Sequence, residues 1–452
     1  MSRIVTVCGF LLMGCVAYAQ PVTEYWKNGK ARSLGEKIGE KEDGNWIYYD
    51  SNGVKYSEGR YEAGRKVGQW TTWYETGAKQ SVYFPQTGNF TSWYKDGRTE
   101  ITGYSKEYQK DSTWTFYYNN GQISKVCYYV NDLMEGDCKE YYPNGQKFFE
   151  GWYQNGEIQG FAVWYYENGQ VEMQGRSEKG LQDSLWSFYF ENGKLGSHGK
   201  FVKGQQEDVW TFYYETGEKW RQGSYAAGKR QGTWVCWYES GQKQREGNFA
   251  DDKEDGLWTQ WYPSGKTQDE GYFCEGKMCK TWKGWFATGV LKYEVEYERN
   301  LRNGKYLHYW DNGKLRYRGN YAKDDRQGSW ETFSEIGLPV EQGKYVKDKK
   351  SGEWTFYNER GVIVRKQSFV NDVPDGKWIE YYPNGKKHSE GEYKQIVQTE
   401  VVALESGEKE FKHKQNQVVK TGTWTYYTDK EKIIRKIVYK NGKIVKESVG
   451  KK

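Results

Sequence analysis

The stretch WVCWYESGQKQREGNFADDKEDG at residues 234–256 decides the fold, because its pattern recurs every 24 residues along most of the chain. It opens on an aromatic residue, Trp234, which we call the anchor and number as position 0 of the repeat. A second aromatic follows at position 3 (Trp237), a glycine at position 7 (Gly241) and another glycine at position 13 (Gly247). A further aromatic usually follows at position 15. Self-similarity at a fixed period predicts a repeat architecture in which each copy is one supersecondary unit.

Copies of this pattern fill nearly the whole chain. The anchors lie at Trp46, Trp70, Phe90, Trp114, Cys138, Ala162, Trp186, Trp210, Trp234, Trp258, Trp282, Tyr306, Trp330, Trp354, Trp378 and Trp424. The step between them is 24 residues, except for 20 residues between Trp70 and Phe90 and 46 residues between Trp378 and Trp424. With a partial first copy at residues 22–29, we count 17 units, two of them partial.

Each unit is predicted to be one β-hairpin. The first strand carries a W-x-x-Y-Y pattern, and an Asn-Gly or Thr-Gly step supplies the residue with positive φ that a tight turn needs. The second strand runs through the position-13 glycine to position 15, and a second turn leads to the next unit. A helix would not tolerate so many glycines in each repeat. The sequence therefore predicts an all-β fold, an elongated single-layer antiparallel meander of about 17 hairpins.

Glycine and tryptophan are expected to pair across these hairpins. If the second turn is centred between positions 18 and 19, the position-13 glycine lies opposite the next anchor, as Gly199 opposite Trp210. An indole that covers bare glycine backbone across a ladder stabilises a glycine within a strand. Strand alternation then places the anchor, the position-4 tyrosine and the position-15 aromatic on one face, and the position-3 aromatic on the other.

Two pairs of cysteines are symmetric about the same predicted turn centre. Cys127 faces Cys138, and Cys274 and Cys279 are equally far from the second turn of their own unit. An exported chain permits disulfides. We therefore predict the cross-strand bridges Cys127–Cys138 and Cys274–Cys279, with Cys236 left free. The alternative is a set of small buried thiols.

The N-terminus has the features of a secretory signal peptide. Arg3 provides the charged region, residues 4–16 are apolar, and Ala-Tyr-Ala at 17–19 forms an A-x-A cleavage site. We expect residues 1–19 to be removed and the mature protein to be periplasmic, in the outer envelope or extracellular. Lipid attachment at Cys15 is the alternative. No later apolar stretch reaches the length of a membrane-spanning helix, so no transmembrane segment is expected after the signal peptide.

Composition and charge exclude several classes of protein. Aromatic residues make up 18% of the chain, which excludes a disordered protein. The net charge is only +6 over 452 residues, and the excess lies between Lys394 and Lys452, with 14 Lys and Arg against 7 Asp and Glu. A nucleic-acid binder shows a stronger basic stripe, so no nucleic-acid partner is expected.

The repeat is interrupted near the C-terminus. Residues 394–420 are rich in Lys, Glu and Gln with short Val runs, and they form either an extended hairpin or a loose loop. We therefore expect a signal peptide at 1–19, hairpin repeats over 20–393, a polar insertion at 394–420, and a last repeat with a basic end at 421–452.

The pattern G-x-W-x-x-Y-Y-x-N-G-x(5)-G-x-Y-x-x-G-x-x-x-G resembles the MORN repeat in its bacterial variant form. It is clearest at Gly68–Gly77, Trp210–Gly232 and Trp234–Gly256, although Asp208 replaces the first glycine of the unit anchored at Trp210. The resemblance implies elongated β-meanders that act as scaffolds for protein partners and sometimes for membrane lipids. Bacterial variants often carry an antitoxin-like label, which for an exported chain implies an immunity role. Choline-binding cell-wall repeats also contain W-Y-Y followed by Gly, but the 24-residue period favours the MORN variant.

We expect a non-catalytic binding protein whose partner is another protein. The position-3 aromatics form a candidate binding ribbon, for which we select Trp73, Trp93, Trp237, Trp261 and Trp285. A glycan or a lipid headgroup is the alternative ligand of this ribbon, and a purely structural role is the competing interpretation. The sequence has no HExxH, P-loop or G-x-S-x-G motif, and its four His have no metal-ligand spacing. No catalytic residue, metal or cofactor is therefore expected.

Overall fold

The computed structural model describes residues 18–402 and 411–450, so most of the predicted signal peptide, with Cys15, lies outside the described residues. The chain forms two units, divided between Gly217 and Glu218. The described parts of both units consist of β-strands and turns, without a helix. The predicted all-β class is confirmed.

The first unit is an antiparallel meander in which successive strands pair, except that the two strands within residues 157–165 both pair with the strand before them. Its strands are β1 (Gln20–Tyr25), β2 (Ala31–Ile38), β3 (Lys41–Tyr49), β4 (Lys55–Glu62), β5 (Arg65–Trp73), β6 (Lys79–Tyr83), β7 (Asn89–Trp93), β8 (Thr99–Lys106), β9 (Gln109–Tyr117), β10 (Ile123–Val130), β11 (Leu133–Tyr141), β12 (Lys147–Gln154), β13 (Glu157–Ile158), β14 (Gly160–Tyr165), β15 (Val171–Glu178), β16 (Leu181–Tyr189), β17 (Leu195–Val202) and β18 (Gln205–Tyr213).

The second unit repeats this topology. Its strands are β19 (Lys219–Ala226), β20 (Lys229–Trp237), β21 (Lys243–Ala250), β22 (Lys253–Trp261), β23 (Thr267–Cys274), β24 (Lys277–Trp285), β25 (Leu291–Glu298), β26 (Leu301–Tyr309), β27 (Leu315–Ala322), β28 (Asp325–Arg326), β29 (Gly328–Phe333), β30 (Pro339–Val346), β31 (Lys349–Tyr357), β32 (Ile363–Val370), β33 (Val373–Tyr381), β34 (Lys387–Val402), β35 (Phe411–Tyr427), β36 (Ile433–Lys440) and β37 (Lys443–Val449).

The first turn of the repeats is built around the position-7 glycine, which only the last repeat replaces, by Glu431 with a φ of +60°. Between β9 and β10, the Gly121 N–H donates to the Tyr118 carbonyl at 2.9 Å, and the Tyr118 N–H donates to the Gln122 carbonyl at 2.8 Å. Gly121 has a φ of +87°. A left-handed residue after a type I turn is typical of a three-residue hairpin loop. The turn predicted at the Asn-Gly step is confirmed.

The second turn is centred one residue earlier than the sequence analysis assumed. Val130 pairs with Leu133, and the two residues between them, Asn131 and Asp132 at positions 17 and 18, have φ values of +48° and +68°. Two successive residues with positive φ form a type I′ turn, whose twist matches that of the flanking strands. The assumed centre between positions 18 and 19 is therefore wrong.

A bulge two residues before the next anchor restores the predicted cross-strand pairs. Beyond the turn the register shifts, and Cys127 then lies directly opposite Cys138. The extra residues lie around Gly136, whose φ is +79°. This position is the first glycine of the G-x-W pattern, and glycine is favoured there because it adopts positive φ without steric cost. Asp208 occupies the same position in its own repeat with a φ of +59°.

The position-13 glycine lies under the indole of the next anchor, as predicted. A Cβ atom placed on Gly199 would lie 2.2 Å from the indole of Trp210, and one placed on Gly247 would lie 2.1 Å from that of Trp258. The indole therefore fills the space that any side chain would need. Close approach between side chain and backbone, not turn geometry, requires glycine in this column.

Replacing Gly247 by alanine is expected to destabilise the second unit by about 1–3 kcal/mol, because the new methyl group displaces the Trp258 indole. Urea unfolding measures the change. Gln244→Ala, on the same strand, is the matched control and should leave stability nearly unchanged. In a Trp258→Ala background the cost of Gly247→Ala should disappear. Equal destabilisation by Gly247→Ala in both backgrounds would show that the Trp258 indole is not the reason why glycine is required there.

Rows of aromatic side chains on the anchor face form the core of each unit. Trp186 is 2% exposed. The Phe201 ring at position 15 packs edge-on against Trp186 at 6.3 Å and against Trp210 at 5.0 Å between ring centres. One position-15 aromatic therefore joins two successive anchors. Phe188, at position 2, belongs to the same row and lies 6.1 Å from Trp210, although the sequence analysis assigned position 2 no role.

The position-4 tyrosines join successive repeats through their hydroxyl groups. The Tyr118 hydroxyl donates to the Tyr141 carbonyl at 2.7 Å, and the Tyr142 hydroxyl donates to the Tyr165 carbonyl at 2.8 Å. The acceptor in each case is the position-3 residue of the next repeat. The sequence pattern predicts position 4 as part of the anchor-face packing but does not predict these hydrogen bonds.

The described part of segment 394–420 forms an extended hairpin, one of the two predicted alternatives. Strands β34 and β35 continue past the ordinary repeat length, with Lys394 opposite Val419. The repeat contacts continue across the longer hairpin, since the Tyr382 hydroxyl donates to the Tyr427 carbonyl at 2.9 Å over 45 residues of sequence. The insertion therefore lengthens one hairpin and leaves the ladder of repeats unbroken.

Candidate functional site

The position-3 aromatics of the candidate ribbon lie on the face opposite the anchors. Glu58, at position 12, precedes Gly59, which lies under the Trp70 indole, so strand alternation directs Glu58 to the other face. Lys55 Nζ lies 2.8 Å from Glu58 Oε2, and the same ammonium lies 3.9 Å from the centre of the Trp73 ring. The position-3 ring therefore shares its face with a lysine at position 9 and a glutamate at position 12 of the preceding repeat. We call this surface the charged face.

The tryptophans selected from the sequence are half-buried on this face. They are Trp73, Trp93, Trp237, Trp261 and Trp285. Lysines of the same chain lie over rings in the second unit too, with Lys219 at 5.9 Å from the Trp237 ring and Lys243 at 5.9 Å from the Trp261 ring. Cation–π contacts of this kind are weakly stabilising and occupy ring surface that a stacked ligand would need.

A three-residue hydrogen-bonded cluster recurs on the charged face. Glu150 accepts from the Lys147 ammonium at 2.8 Å and from the Tyr165 hydroxyl. These bonds, that from Lys147 first, lower the pKa of Glu150, while burial and the bond to Glu150 raise the pKa of Tyr165 to about 12. The same arrangement joins Lys387, Glu390 and Tyr427 in the second unit. The carboxylate is ionised and the phenol protonated at neutral pH, so the cluster holds fixed charges and does not exchange protons there.

Seven anchors have a lysine or arginine four residues before them, and this row of cations lies over the aromatic rows of the anchor face. The Arg326 guanidinium lies 3.8 Å from the Tyr345 ring centre, and Arg326 Nε lies 2.8 Å from Asp348 Oδ1. Hydrogen bonds from Arg326 lower the pKa of Asp348. Arg230 with Asp252 and Arg302 with Asp324 repeat the pair. Sequence analysis missed this row, although its signal was present as a basic residue followed by aspartate 22 positions later.

Both predicted cysteine pairs are joined in the structure, and Cys236 is free. Cys127 and Cys138 are directly opposite each other and nearly unexposed, in a cluster with Trp114 and Phe149. The second pair spans the corrected turn differently. Cys274 lies opposite Lys277, and Cys279 lies opposite Tyr272, so the two cysteines are diagonal and not directly opposite. Burial raises the pKa of the Cys236 thiol.

Other kinds of site are scarce in the described ranges. No cluster of three or more His, Cys, Asp or Glu side chains that could hold a metal ion is found in residues 18–402 and 411–450. Over the same ranges no helix is long and apolar enough to cross a membrane.

A family model described as the MORN repeat variant matches ten stretches of the chain. They are residues 42–63, 110–131, 134–155, 162–177, 230–251, 254–275, 278–299, 302–323, 350–371 and 374–395. The chain belongs to the MORN repeat variant family. The stretch 110–131 begins four residues before the anchor Trp114 and ends in the type I′ turn. A MORN unit in this chain is therefore one hairpin bounded by two second turns, as the sequence analysis proposed.

Two solved structures resemble this MORN repeat protein weakly. The structure titled "Crystal Structure of TcdB2-TccC3" is 11% identical over 95% of this chain and 29% of the other, with a TM-score of 0.14. The same complex without its hypervariable C-terminal region gives 11% identity, 95% and 28% coverage, and a TM-score of 0.14. The chain spans less than a third of those chains, and a likeness this low carries no argument. No curated protein matches the sequence.

Proposed function

We propose that this MORN repeat protein is an exported, non-catalytic scaffold that binds a protein partner in the cell envelope or outside the cell. The observation that supports the proposal is the charged face, where a lysine, a glutamate and an aromatic residue recur together. Lys147 and Glu150 are held 2.8 Å apart in the first unit, and Lys387 and Glu390 are held 2.9 Å apart in the second. Side chains already fixed in position lose little entropy on binding, which favours a partner of complementary charge.

The cysteine pairs support an oxidising location. Disulfides persist in the periplasm and outside the cell and are rare in the cytosol. Cys127–Cys138 and Cys274–Cys279 are both joined, and the A-x-A site before Gln20 agrees with export.

Affinity capture tests the partner. The mature chain, residues 20–452, is immobilised and incubated with envelope extract from the source organism, and captured polypeptides are quantified by mass spectrometry. We expect one defined polypeptide in stoichiometric amount, reduced about tenfold or more when Lys147, Lys243 and Lys387 are replaced by glutamate.

The matched control makes the same three charge reversals at exposed lysines of the second turns, namely Lys179, Lys203 and Lys347. Capture should survive in this variant. The scaffold proposal fails if no defined polypeptide is captured, or if the control variant loses it equally.

A glycan or a lipid headgroup is the second candidate for the charged face, because tryptophan at five of its positions offers flat aromatic surface. Binding of oligosaccharides or headgroups that is lost when Trp237, Trp261 and Trp285 are replaced by alanine would favour this candidate. Stoichiometric capture of a toxin would instead favour the immunity role that the antitoxin-like label suggests.

A further inference from the structure

One cleft interrupts the regular anchor face of the first unit. It has a volume of about 360 Å³ and lies where the repeat is four residues short, between the anchors Trp70 and Trp114. Strands β6 and β7 there have five residues each, whereas the adjacent β8 and β9 have eight and nine. The short hairpin leaves the second-turn ends of its two neighbours uncovered, and the cleft lies between them.

The loop that closes the short hairpin is tightly fixed. The Gly88 N–H donates to the Phe84 carbonyl at 2.7 Å, and the Ser105 N–H donates to the Gly88 carbonyl at 2.7 Å. Gly88 has a φ of +73°, and a Cβ atom there would lie 2.1 Å from the Ser105 carbonyl oxygen. The loop therefore holds one defined conformation, and the cleft is preformed.

Lys66 lines this cleft without the aspartate that arginines at its repeat position have. The arginines at this repeat position, Arg230, Arg302 and Arg326, each pair with an aspartate 22 residues later. Gly88 stands at that distance from Lys66. No carboxylate of the described residues is within 4.0 Å of its ammonium, which lies 4.2 Å from the centre of the Trp70 ring. Burial lowers the pKa of Lys66, as expected for a cation that lacks a counter-charge.

Tyr108 borders the cleft in a strained backbone conformation. It occupies position 18 of a type I′ turn with a φ of +69°, where a bulky residue is rare. Asn300 holds the same turn position in another repeat with a φ of +72°. The Tyr108 ring lies 5.6 Å from the ring of Tyr83, which replaces the usual position-13 glycine. Strain kept at the rim of a cavity is a pointer to function.

The remaining lining combines aromatic rings with hydroxyl groups. Phe90 and Trp114 contribute apolar surface, and Ser57 and Ser81 contribute hydroxyls. Lys110 adds a second cation, while Asp132, the carboxylate in the lining, already accepts the Lys110 backbone N–H at 2.7 Å. Hydroxyl side chains both donate and accept, as sugar hydroxyls do. Ser81 already bonds to the Thr72 hydroxyl at 2.6 Å, but a purely aromatic acid would offer Ser57 no hydrogen-bond partner.

We propose that this cleft binds an acidic sugar unit, a pyranose ring that carries a carboxylate. The Tyr108 and Phe90 side chains would cover the C–H faces of the ring, Lys66 would pair with the carboxylate, and serine hydroxyls would bond to the ring hydroxyls. A volume of about 360 Å³ is near the lower end for ligand cavities, which suits one or two sugar rings. The cleft is on the anchor face, so this site is independent of the charged face proposed above for a protein partner.

Isothermal titration calorimetry of the mature chain tests the proposal with sodium glucuronate, galacturonate and N-acetylneuraminate as probes. We expect at least one of these acids to bind with one site per chain. Glucose, which lacks the carboxylate, and benzoate, which lacks the ring hydroxyls, should bind at least about tenfold more weakly. Absence of binding by all three acids at millimolar concentration overturns the proposal. Glucose or benzoate binding as tightly as the acids does so too.

Lys66→Gln removes the charge and should weaken the acidic sugar at least about tenfold. Lys350→Gln is the matched control, because Lys350 stands at the same repeat position in the second unit and is paired with Glu341 at 2.7 Å. The control should bind as the wild type does. Unchanged affinity in Lys66→Gln would remove Lys66 from the site and contradict the proposal.

Tyr108→Asn separates binding from folding. Asparagine suits the left-handed conformation, so the variant should unfold at the same temperature as the wild type or higher, while its affinity for the acidic sugar falls. Lower thermal stability together with unchanged affinity would show that Tyr108 serves packing only, against the proposal.

Discussion

Replacing Trp354 by alanine is expected to destabilise the second unit by about 3–5 kcal/mol, the range found when a buried tryptophan is removed. Trp354 is 0% exposed, packs edge-on against the Tyr345 ring at 4.9 Å, and covers the backbone of Gly343. Its indole Nε1 also donates to the Lys344 carbonyl at 3.1 Å. The loss therefore combines packing, a cavity and a hydrogen bond. Urea unfolding followed by circular dichroism measures it.

Two further variants test whether the loss of stability is specific to the buried indole of the anchor. Trp354→Phe keeps an aromatic ring and loses the hydrogen bond, so its cost should be lower, on the order of 1–2 kcal/mol. Trp220→Ala removes a tryptophan that is 39% exposed and should cost clearly less than Trp354→Ala. If the Trp220 and Trp354 variants were equally unstable, the anchors would not be the core of the repeat.

Removing the Cys127–Cys138 bridge is expected to cost about 3 kcal/mol. The two cysteines are 11 residues apart, and a closed loop of that size restricts the unfolded chain by roughly this amount. Both side chains are also buried between Trp114 and Phe149, so their replacement by alanine loosens the local packing. Thermal or urea unfolding of the Cys127→Ala, Cys138→Ala double variant, compared with the oxidised wild type, measures the loss.

The second bridge provides the comparison. Cys274 and Cys279 are only 5 residues apart, so the same reasoning gives a smaller loss of about 2 kcal/mol for their removal. Cys236→Ala, which removes the free thiol, controls for the substitution itself. The assignment of both bridges would be contradicted if wild-type protein isolated from the exported fraction reacted with iodoacetamide at all five cysteines without reductant.

The repeat allowed much of the fold to be predicted, because each structural element leaves the same residues at the same spacing. The Asn-Gly turn and the position beneath the next anchor each require glycine for a local structural reason, and both were predicted correctly. The second-turn centre was wrong because a bulge restores the register beyond it. A sequence shows the total spacing between Cys127 and Cys138 and does not show how turn and bulge divide it.

One exception to the glycine and tryptophan rule has a simple physical explanation. Gly151 faces Ala162, whose single methyl group cannot cover it. The Phe149 ring covers it instead, with its Cζ atom 2.6 Å from the place where a Cβ of Gly151 would lie. A ring from the same strand thus replaces the indole of the next anchor, a substitution that column-by-column comparison does not detect.

The binding features were harder to predict, because they depend on contacts between side chains of different repeats. The position-3 tryptophans were visible as a column, but the lysines over Trp73 and Trp261 were not. The four-residue deletion before Phe90 was visible as a change of period. The deletion opens a cleft around Lys66 because it removes residues that would otherwise pack there. Only the three-dimensional arrangement shows which contacts are lost.

Cross-linking mass spectrometry on the captured complex tests the central claim, that the charged face carries the protein partner. The mature chain is cross-linked to its stoichiometric partner with a lysine-reactive reagent, and the linked lysines are mapped. The account predicts links at the position-9 lysines of the charged face, among them Lys55, Lys147, Lys243 and Lys387. Links confined to anchor-face lysines such as Lys110 and Lys350, with none at position 9, would contradict it.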